Sequence, residues 1–198
     1  MVVQDAWVLK ENLSKSFFAP KNKIQLMEKK GEILKITRGL YETEKNVFPP
    51  LLASSIYGPS YLSFEYALSF WGLIPERVSE YTSATTGKNK SKFFKTSVGK
   101  FSYGDVPIKV FPFDVLIQNM GERSYLIASK EKALCDLLYK KKSVKNLSEL
   151  KHLLFDDLRI EESFFLELDK EKLKFLCPLY AKNNLKLLMR LIESEKTV

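Results

Sequence analysis

The stretch Ala19-Pro20-Lys21-Asn22-Lys23-Ile24-Gln25-Leu26-Met27-Glu28-Lys29-Lys30-Gly31-Glu32-Ile33-Leu34-Lys35-Ile36-Thr37-Arg38-Gly39-Leu40-Tyr41-Glu42 decides how the amino-terminal part of this chain is read. Pro20 suits the first turn of a helix, where its missing N–H would have no partner anyway. Ile24, Leu26 and Met27 then recur at helical spacing and are expected to face a core. Gly31 is the natural stop, because a residue without Cβ enters the left-handed conformation that ends helices. Glu32 to Thr37, followed by Arg38-Gly39-Leu40-Tyr41, reads as a β-hairpin with Arg38 near its tip. Helix, glycine turn and hairpin in this order are the second half of a winged helix-turn-helix. Duplex DNA is therefore the first partner to test.

Lys21, Lys23, Lys29 and Lys30 fall largely off the apolar stripe of this helix, and Lys35 and Arg38 lie on the hairpin. Cations on an exposed helix and on a projecting wing can both reach phosphates. Upstream, Asp5 to Ser14 reads as a first helix with Ala6, Leu9 and Leu13 on one side and Trp7 as an anchor, packed against Ile24 and Met27. A three-helix winged domain has one more helix than this stretch offers, so residues 1–45 are read as an abbreviated winged domain. Downstream, Val47 to Pro59 holds Pro49-Pro50 and Gly58-Pro59, which interrupt regular structure and suit a connector.

The whole chain of 198 residues is 45% hydrophobic and 28% charged, enough apolar material for a substantial core without staples. Cys135 and Cys177 are its two cysteines; both sit in apolar helical patterns and read as buried free thiols in a reducing cytoplasm. No apolar run approaches the ~20 residues of a membrane span, and Met1 to Lys10 has no leader-like character. The net charge of +8 is patterned: +3 over residues 1–45, −2 over 46–76, +5 over 77–110, −1 over 111–129, +4 over 130–151 and −1 over 152–198. Such a basic excess favours a polyanionic partner. The three basic blocks either converge on one surface or decorate different faces.

Residues 46–198 read as an α+β domain. Tyr61 to Trp71 forms a helix with Leu62, Ala67, Leu68 and Trp71 on its apolar face, Ser60 or Ser63 as cap and Gly72 as stop. From Ser79 to Ala128 the period shortens. Tyr81 to Thr85, Lys92 to Val98, Lys100 to Tyr103, Ile108 to Phe113 and Tyr125 to Ile127 are β-branched or aromatic runs broken by Gly87, Gly99, Gly104 and Gly121, the pattern of a small, mainly antiparallel sheet. Ser129 then caps a helix with Ala133, Leu134, Leu137 and Leu138 on one stripe. Leu147 to Phe155, Asp169 to Leu176 and Leu179 to Ile192 read as further helices, with Pro178 as a breaker.

Three blocks together carry a resemblance: Gly31-Glu32-Ile33-Leu34-Lys35-Ile36-Thr37-Arg38-Gly39-Leu40-Tyr41; Tyr61-Leu62-Ser63-Phe64-Glu65-Tyr66-Ala67-Leu68 leading to Gly72-Leu73-Ile74-Pro75-Glu76; and Ala128-Ser129-Lys130-Glu131-Lys132-Ala133-Leu134-Cys135-Asp136-Leu137-Leu138-Tyr139. In order and spacing, over roughly residues 19 to 140, the chain resembles the AbiEi family of type IV toxin-antitoxin antitoxins. The resemblance implies an amino-terminal winged helix-turn-helix that represses its own operon and a carboxy-terminal domain that counters a nucleotidyltransferase toxin. The short amino terminus departs from that pattern.

Catalysis finds little support in the residues, and no enzyme, cofactor or metal is expected. His152, the one histidine, sits in a Lys-His-Leu-Leu segment and reads as a surface or helix-capping residue. Asp156-Asp157 and Glu161-Glu162 are paired carboxylates of the sort metals use, but they fall in polar turns where solvation and capping explain them. Gly87-Lys88 and Gly99-Lys100 are isolated and read as hairpin turns, not as a phosphate cradle. Between Lys88 and Lys109 the cations Lys90, Lys92, Lys95 and Lys100 alternate with Phe93, Phe94, Phe101 and Tyr103. Interleaving of this kind binds single strands by stacking and charge, yet one-sided burial of a sheet produces it more often. The expected contacts to the operator duplex are thus Lys21, Lys23, Lys29, Lys30, Lys35 and Arg38, with Lys90, Lys92, Lys95 and Lys100 as a secondary basic patch. A second reading keeps the α+β domain as a protein-interaction module that neutralises a toxin without binding DNA.

Overall fold

The computed structural model describes residues 4–44 and 46–194. The charges of Lys45, Glu195 and Lys196, counted in the blocks above, lie outside the described residues. The chain is α+β, with a mainly antiparallel sheet and helices gathered toward the carboxyl end.

The first elements follow the local chemistry closely. Strand β1 (Gln4–Asp5) runs into α1 (Ala6–Ser14), whose cap is Asp5, its carboxylate accepting from the Trp7 N–H. Helix α2 (Pro20–Lys29) starts at Pro20, and Gly31 follows it with a φ of 66°. Strands β2 (Leu34–Thr37) and β3 (Leu40–Glu42) form the expected hairpin, and β1 joins it to give a three-stranded antiparallel sheet ordered β1-β3-β2. Leu9, Ile24 and Ile33 form a small core of their own, with Leu13, Met27 and Tyr41 packed on it. Two expectations fail here. Trp7 is 68% exposed and anchors nothing, because it projects from the side of α1 opposite Leu9 and Leu13; Leu26, 45% exposed, likewise turns away from Ile24.

The stretch read as a connector is part of the main core instead. Pro49–Leu52 winds into a 3-10 turn, α3 (Ala53–Ile56) continues it, and Leu51, Leu52 and Ala53 are buried. Proline at the start of a helical turn does not end structure there. Strand β4 (Ser60–Leu62) precedes α4 (Phe64–Phe70), so the helix read from Tyr61 begins later than expected. Ser63 occupies its cap position but does not cap it, because its hydroxyl is committed to Asp136 at 2.7 Å. Gly72 closes the helix with a φ of 73°.

Strands β5 (Glu80–Thr85), β6 (Lys92–Thr96), β7 (Gly99–Asp105), β8 (Val115–Met120) and β9 (Arg123–Ala128) complete a six-stranded sheet ordered β6-β7-β5-β4-β9-β8. The β4/β5, β6/β7 and β8/β9 pairs are antiparallel, whereas β4/β9 and β5/β7 are parallel. Ile108 to Phe113, read as a strand, forms turns, and the strand lies just beyond it in β8. The aromatic and β-branched content of that run fills the core from a loop: Val110 is fully buried and Phe111 packs on Tyr61 with ring centroids 5.1 Å apart.

Helix α5 (Lys130–Lys140) begins at Ser129, whose hydroxyl accepts from the Lys132 N–H. Helix α6 (Leu147–Lys151) runs on through a π-helical stretch, His152–Asp157. Helices α7 (Glu162–Leu166), α8 (Lys170–Leu176) and α9 (Asn183–Ser194) follow, with a 3-10 turn, Cys177–Tyr180, around Pro178. One large core joins these helices to the six-stranded sheet and also takes in Ile36, with Leu34 and Leu40 packed against it. The β2/β3 hairpin therefore serves two cores, with Ile33 and Tyr41 toward α1 and α2, and Ile36 toward the body.

Candidate nucleic-acid interface

Helix α2 is held by one narrow stripe. Ile24 is buried, Lys23, Met27 and Glu28 are half-buried, and Lys21, Asn22, Gln25, Leu26, Lys29 and Lys30 are exposed. A helix advances about 100° per residue. Lys21, Gln25, Lys29, Asn22 and Leu26 thus fan out, in that order, over an arc of about 140° on the side away from Ile24.

The six cations expected to meet phosphate do not share one setting. Lys21 and Lys29 lie within the fan, and Lys30 follows at the end of α2, where its backbone N–H caps the helix on the Leu26 carbonyl. Lys23 stands apart, because its ammonium sits 4.9 Å from the centroid of the Phe17 ring and its stem is half-buried. Lys35 is exposed on β2, between the inward-facing Leu34 and Ile36. Arg38 is exposed at the hairpin tip, which is tied to α1 by the Ala6 N–H donating to the Gly39 carbonyl at 2.7 Å. Among the described residues, no acidic side chain pairs with Lys21, Lys29, Lys30, Lys35 or Arg38 within 4.0 Å.

Two polar links fasten this region to the body. The Arg123 guanidinium, at the start of β9, bridges Glu42 at 3.0 Å and Glu44 at 3.1 Å. Glu42 is completely buried, and the backbone N–H groups of Thr43 and Glu44 donate to its other carboxylate oxygen. On the opposite strand of the hairpin, Ser97 Oγ donates to the Lys35 carbonyl at 3.3 Å, which brings the β6/β7 turn against β2.

The secondary basic patch separates by face. Phe94, Phe101 and Tyr103 are turned into the core, where Phe94 and Tyr103 meet edge-on at 5.8 Å, and Phe93 alone of the four aromatics is exposed. One-sided burial thus explains most of the alternation. Lys90, Lys92, Lys95 and Lys100 are all exposed. Lys95 and Lys100 stand directly opposite each other across β6 and β7, a like-charge pair that costs stability. Lys92 lines a cleft of about 450 Å³ together with Phe64, Phe93, Tyr103, Lys140 and Lys141. Two of the three basic blocks, 77–110 and 130–151, therefore meet at this cleft. Beside it, the Asp105 carboxyl is pushed up by burial but held below the usual carboxylate range overall, because it accepts from the Asn89 and Lys88 N–H groups and the Thr85 hydroxyl, with the Lys140 ammonium nearby.

The residues considered for chemistry are placed as follows. His152 is exposed in the π-helical stretch; Asp157 is 3.5 Å from its Nδ1 and Asp156 4.0 Å from its Nε2, so these two aspartates belong to the helical stretch, not to a polar turn, and are its acidic neighbours. Ser148 and His152 line one cleft with Glu149 and Asp157, and among the described residues no hydrogen bond joins Ser148 to His152. Glu161 and Glu162 stand at the cap and first turn of α7. Cys135 and Cys177 are free, buried and 3.8 Å apart at sulfur, and burial pushes the Cys135 thiol up. Gly87 sits in a bend, whereas Gly99 opens β7 directly after the β6/β7 turn, where a Cβ would come within 2.7 Å of the Tyr81 ring.

The most concentrated polar cluster of the body went unassigned in the sequence. Lys132 and Asp136, one turn apart on α5, are both fully buried and 2.8 Å apart. Lys132 also donates to the Tyr180 hydroxyl at 2.6 Å, Tyr180 donates to Asp136 at 2.5 Å, and Tyr61 and Ser63 donate to the second Asp136 oxygen at 3.0 and 2.7 Å. Burial, with the Asp136 charge adding to it, holds the Tyr61 and Tyr180 hydroxyls in their protonated form far above the usual tyrosine range. Each group faces another group of the protein, which makes the cluster a structural joint between β4, α5 and the Cys177–Tyr180 turn. The i, i+4 spacing of Lys132 and Asp136 beside the apolar stripe of α5 was the signal for it.

The chain matches no protein-family model and no curated protein sequence. Among the described residues, no helix is long and apolar enough to cross a membrane, and no group of three or more His, Cys, Asp or Glu side chains is arranged to hold a metal.

Proposed function

We propose that this chain is a DNA-binding antitoxin and autorepressor of the AbiEi kind, acting without catalysis, cofactor or metal. In this reading residues 1–45 bind the operator duplex of the chain's own gene, and residues 46–198 counter a nucleotidyltransferase encoded beside it. The observation that carries the DNA part is the set Lys21, Lys29, Lys30, Lys35 and Arg38, exposed on a helix and the hairpin that follows it and, among the described residues, without acidic partners. Unneutralised cations on such elements attract phosphate, and the release of condensed counterions drives binding. The two reduced thiols at van der Waals distance fit a reducing cytoplasm.

The test is the affinity of the full chain for a duplex of its own upstream sequence, measured by fluorescence anisotropy across a salt series. Log affinity should fall linearly with log salt, each phosphate-contacting cation contributing about 0.9 to the slope. An affinity indifferent to salt would refute the assignment.

A second reading, a protein-interaction module that neutralises a toxin without DNA, is favoured by a different observation. Strand β8 is an edge of the six-stranded sheet with no charged residue along Val115–Met120, and it borders an apolar groove of about 310 Å³ formed by Tyr61, Phe111, Val115, Ile117 and Leu126. An unprotected edge of this kind accepts another strand. Ile117→Lys in the full chain should then abolish rescue from a co-expressed neighbouring nucleotidyltransferase, and the unaltered chain should not retard its upstream DNA. Unimpaired rescue would set this reading aside.

A further inference from the structure

The exposed face of α2 carries more than charge. Asn22 and Gln25 stand one turn apart at its centre, and among the described residues neither side-chain amide makes an intramolecular hydrogen bond. Leu26 lies beside them, 45% exposed, with no core to join. Along the helix axis Lys21 and Lys29 stand at the two ends of the group, and around it Lys29 lies between Gln25 and Asn22. A face designed only for phosphate would have cations throughout. Two free amides and one apolar side chain among two lysines form a different chemical pattern, with donor-acceptor pairs and a methyl-sized contact between cations at the two ends.

We propose that Asn22 and Gln25 read adenine edges in the major groove, with Leu26 against a neighbouring thymine methyl, so that the duplex this chain selects has A·T pairs where α2 faces it. The inference rests on the DNA-binding reading above. A carboxamide accepts from adenine N6–H and donates to adenine N7 at once, a match that lysine, having no acceptor, cannot make. Lys21 and Lys29 then hold the helix by phosphates on either side and contribute affinity without choosing a base. Asn22 and Gln25 are separated by a rise of about 4.5 Å along the helix, which suits neighbouring base pairs spaced about 3.4 Å apart.

The experiment is selection by the full chain from a randomised duplex pool, followed by affinities of Asn22→Ala, Gln25→Ala and Lys29→Ala for the selected duplex and for an unrelated one at several salt concentrations. Circular dichroism of each variant checks that α2 is intact. The expected result is A·T enrichment at adjacent positions. Each amide variant should lose on the order of 10-fold in affinity for the selected duplex and lose the adenine preference at one position, with the salt slope and the unrelated-duplex affinity unchanged. Lys29→Ala should weaken both duplexes alike and lower the slope by about one. Enrichment of G·C at those positions, or an adenine preference that survives both amide variants, overturns the base-reading proposal while DNA binding stands. Failure to retain any duplex removes the DNA-binding reading and this proposal together.

Discussion

Helices α2 and α5 are ten and eleven residues long and both rich in lysine, yet α2 leaves Lys21 and Lys29 in water while α5 hides Lys132 completely. The difference is in what surrounds them. Around α5 lie the sheet, α4, α8 and α9, and eight of its consecutive residues, Glu131 to Leu138, are buried. A cation there must find partners, and Asp136 and Tyr180 supply them. Around α2 lie only α1 and one face of a three-stranded sheet, so a single residue, Ile24, is buried. Lys21, Asn22, Gln25, Leu26 and Lys29 are left exposed to an outside partner. Lysine content is therefore informative about binding only once the number of covered faces is known.

The sharpest way to break this comparison is in the body. Asp136→Ala strands the Lys132 ammonium in a dry site and should cost about 3–5 kcal/mol, read as a fall in the denaturant midpoint. Loss of less than about 1 kcal/mol would mean that water reaches the cluster. Next comes the small core. Ile24→Ala should cost about 2–5 kcal/mol within the amino-terminal region, because among the described residues its small core has just two other buried members, Leu9 and Ile33. Hydrogen exchange should then show α1 and α2 unprotected while α5 keeps its protection. Equal loss in both regions would show that they unfold as one unit.

A smaller effect is expected at the clamp between the regions. Arg123→Ala leaves Glu42 buried with only the Thr43 and Glu44 N–H groups, and should cost about 1–3 kcal/mol, again seen first as faster exchange in β2 and β3. Acid titration offers a further test in the body. The Asp105 carboxyl is held below its ordinary value, so its contribution is present above the unfolded pKa of about 4 and is lost as the pH falls through the lower folded value. Asp105→Asn should flatten that part of the stability-pH curve, measured by thermal unfolding between pH 2 and 6. The smallest effect belongs to the β6/β7 hairpin. Lys95→Thr removes the charge facing Lys100 and should raise stability by about 0.5 kcal/mol, most clearly at low salt.

Much of the architecture was legible in the residues because it depends on short-range chemistry. Pro20, Gly31, Gly39, Gly72 and Ser129 each mark a boundary for a local reason, and the structure uses each of them there. The misreadings have a common cause. Trp7 and Leu26 read as inward because they are apolar, Pro49-Pro50 as a connector because proline interrupts regular structure, and Ile108 to Phe113 as a strand because its residues are β-branched or aromatic. In each case the number of elements packed on the segment, which no local pattern records, decided otherwise.

The candidate site divides in the same way. Its cations could be named from the sequence, since charge and helical period are local properties. That Lys23 leans on Phe17, and that Lys21, Gln25, Lys29, Asn22 and Leu26 share the exposed arc, depends on which side of α2 meets α1, and that Lys35 is backed by the β6/β7 turn depends on how the hairpin meets the body.

By itself the sequence determined the α+β class, the helix–turn–hairpin order at the amino end and the basic excess, because each follows from composition or from spacing along a few turns. Only the tertiary structure decided which lysines are displayed and which are buried. Burial of a charge is set by partners such as Asp136, Tyr61 and Tyr180, and the last two lie 71 and 48 residues from Lys132 along the chain.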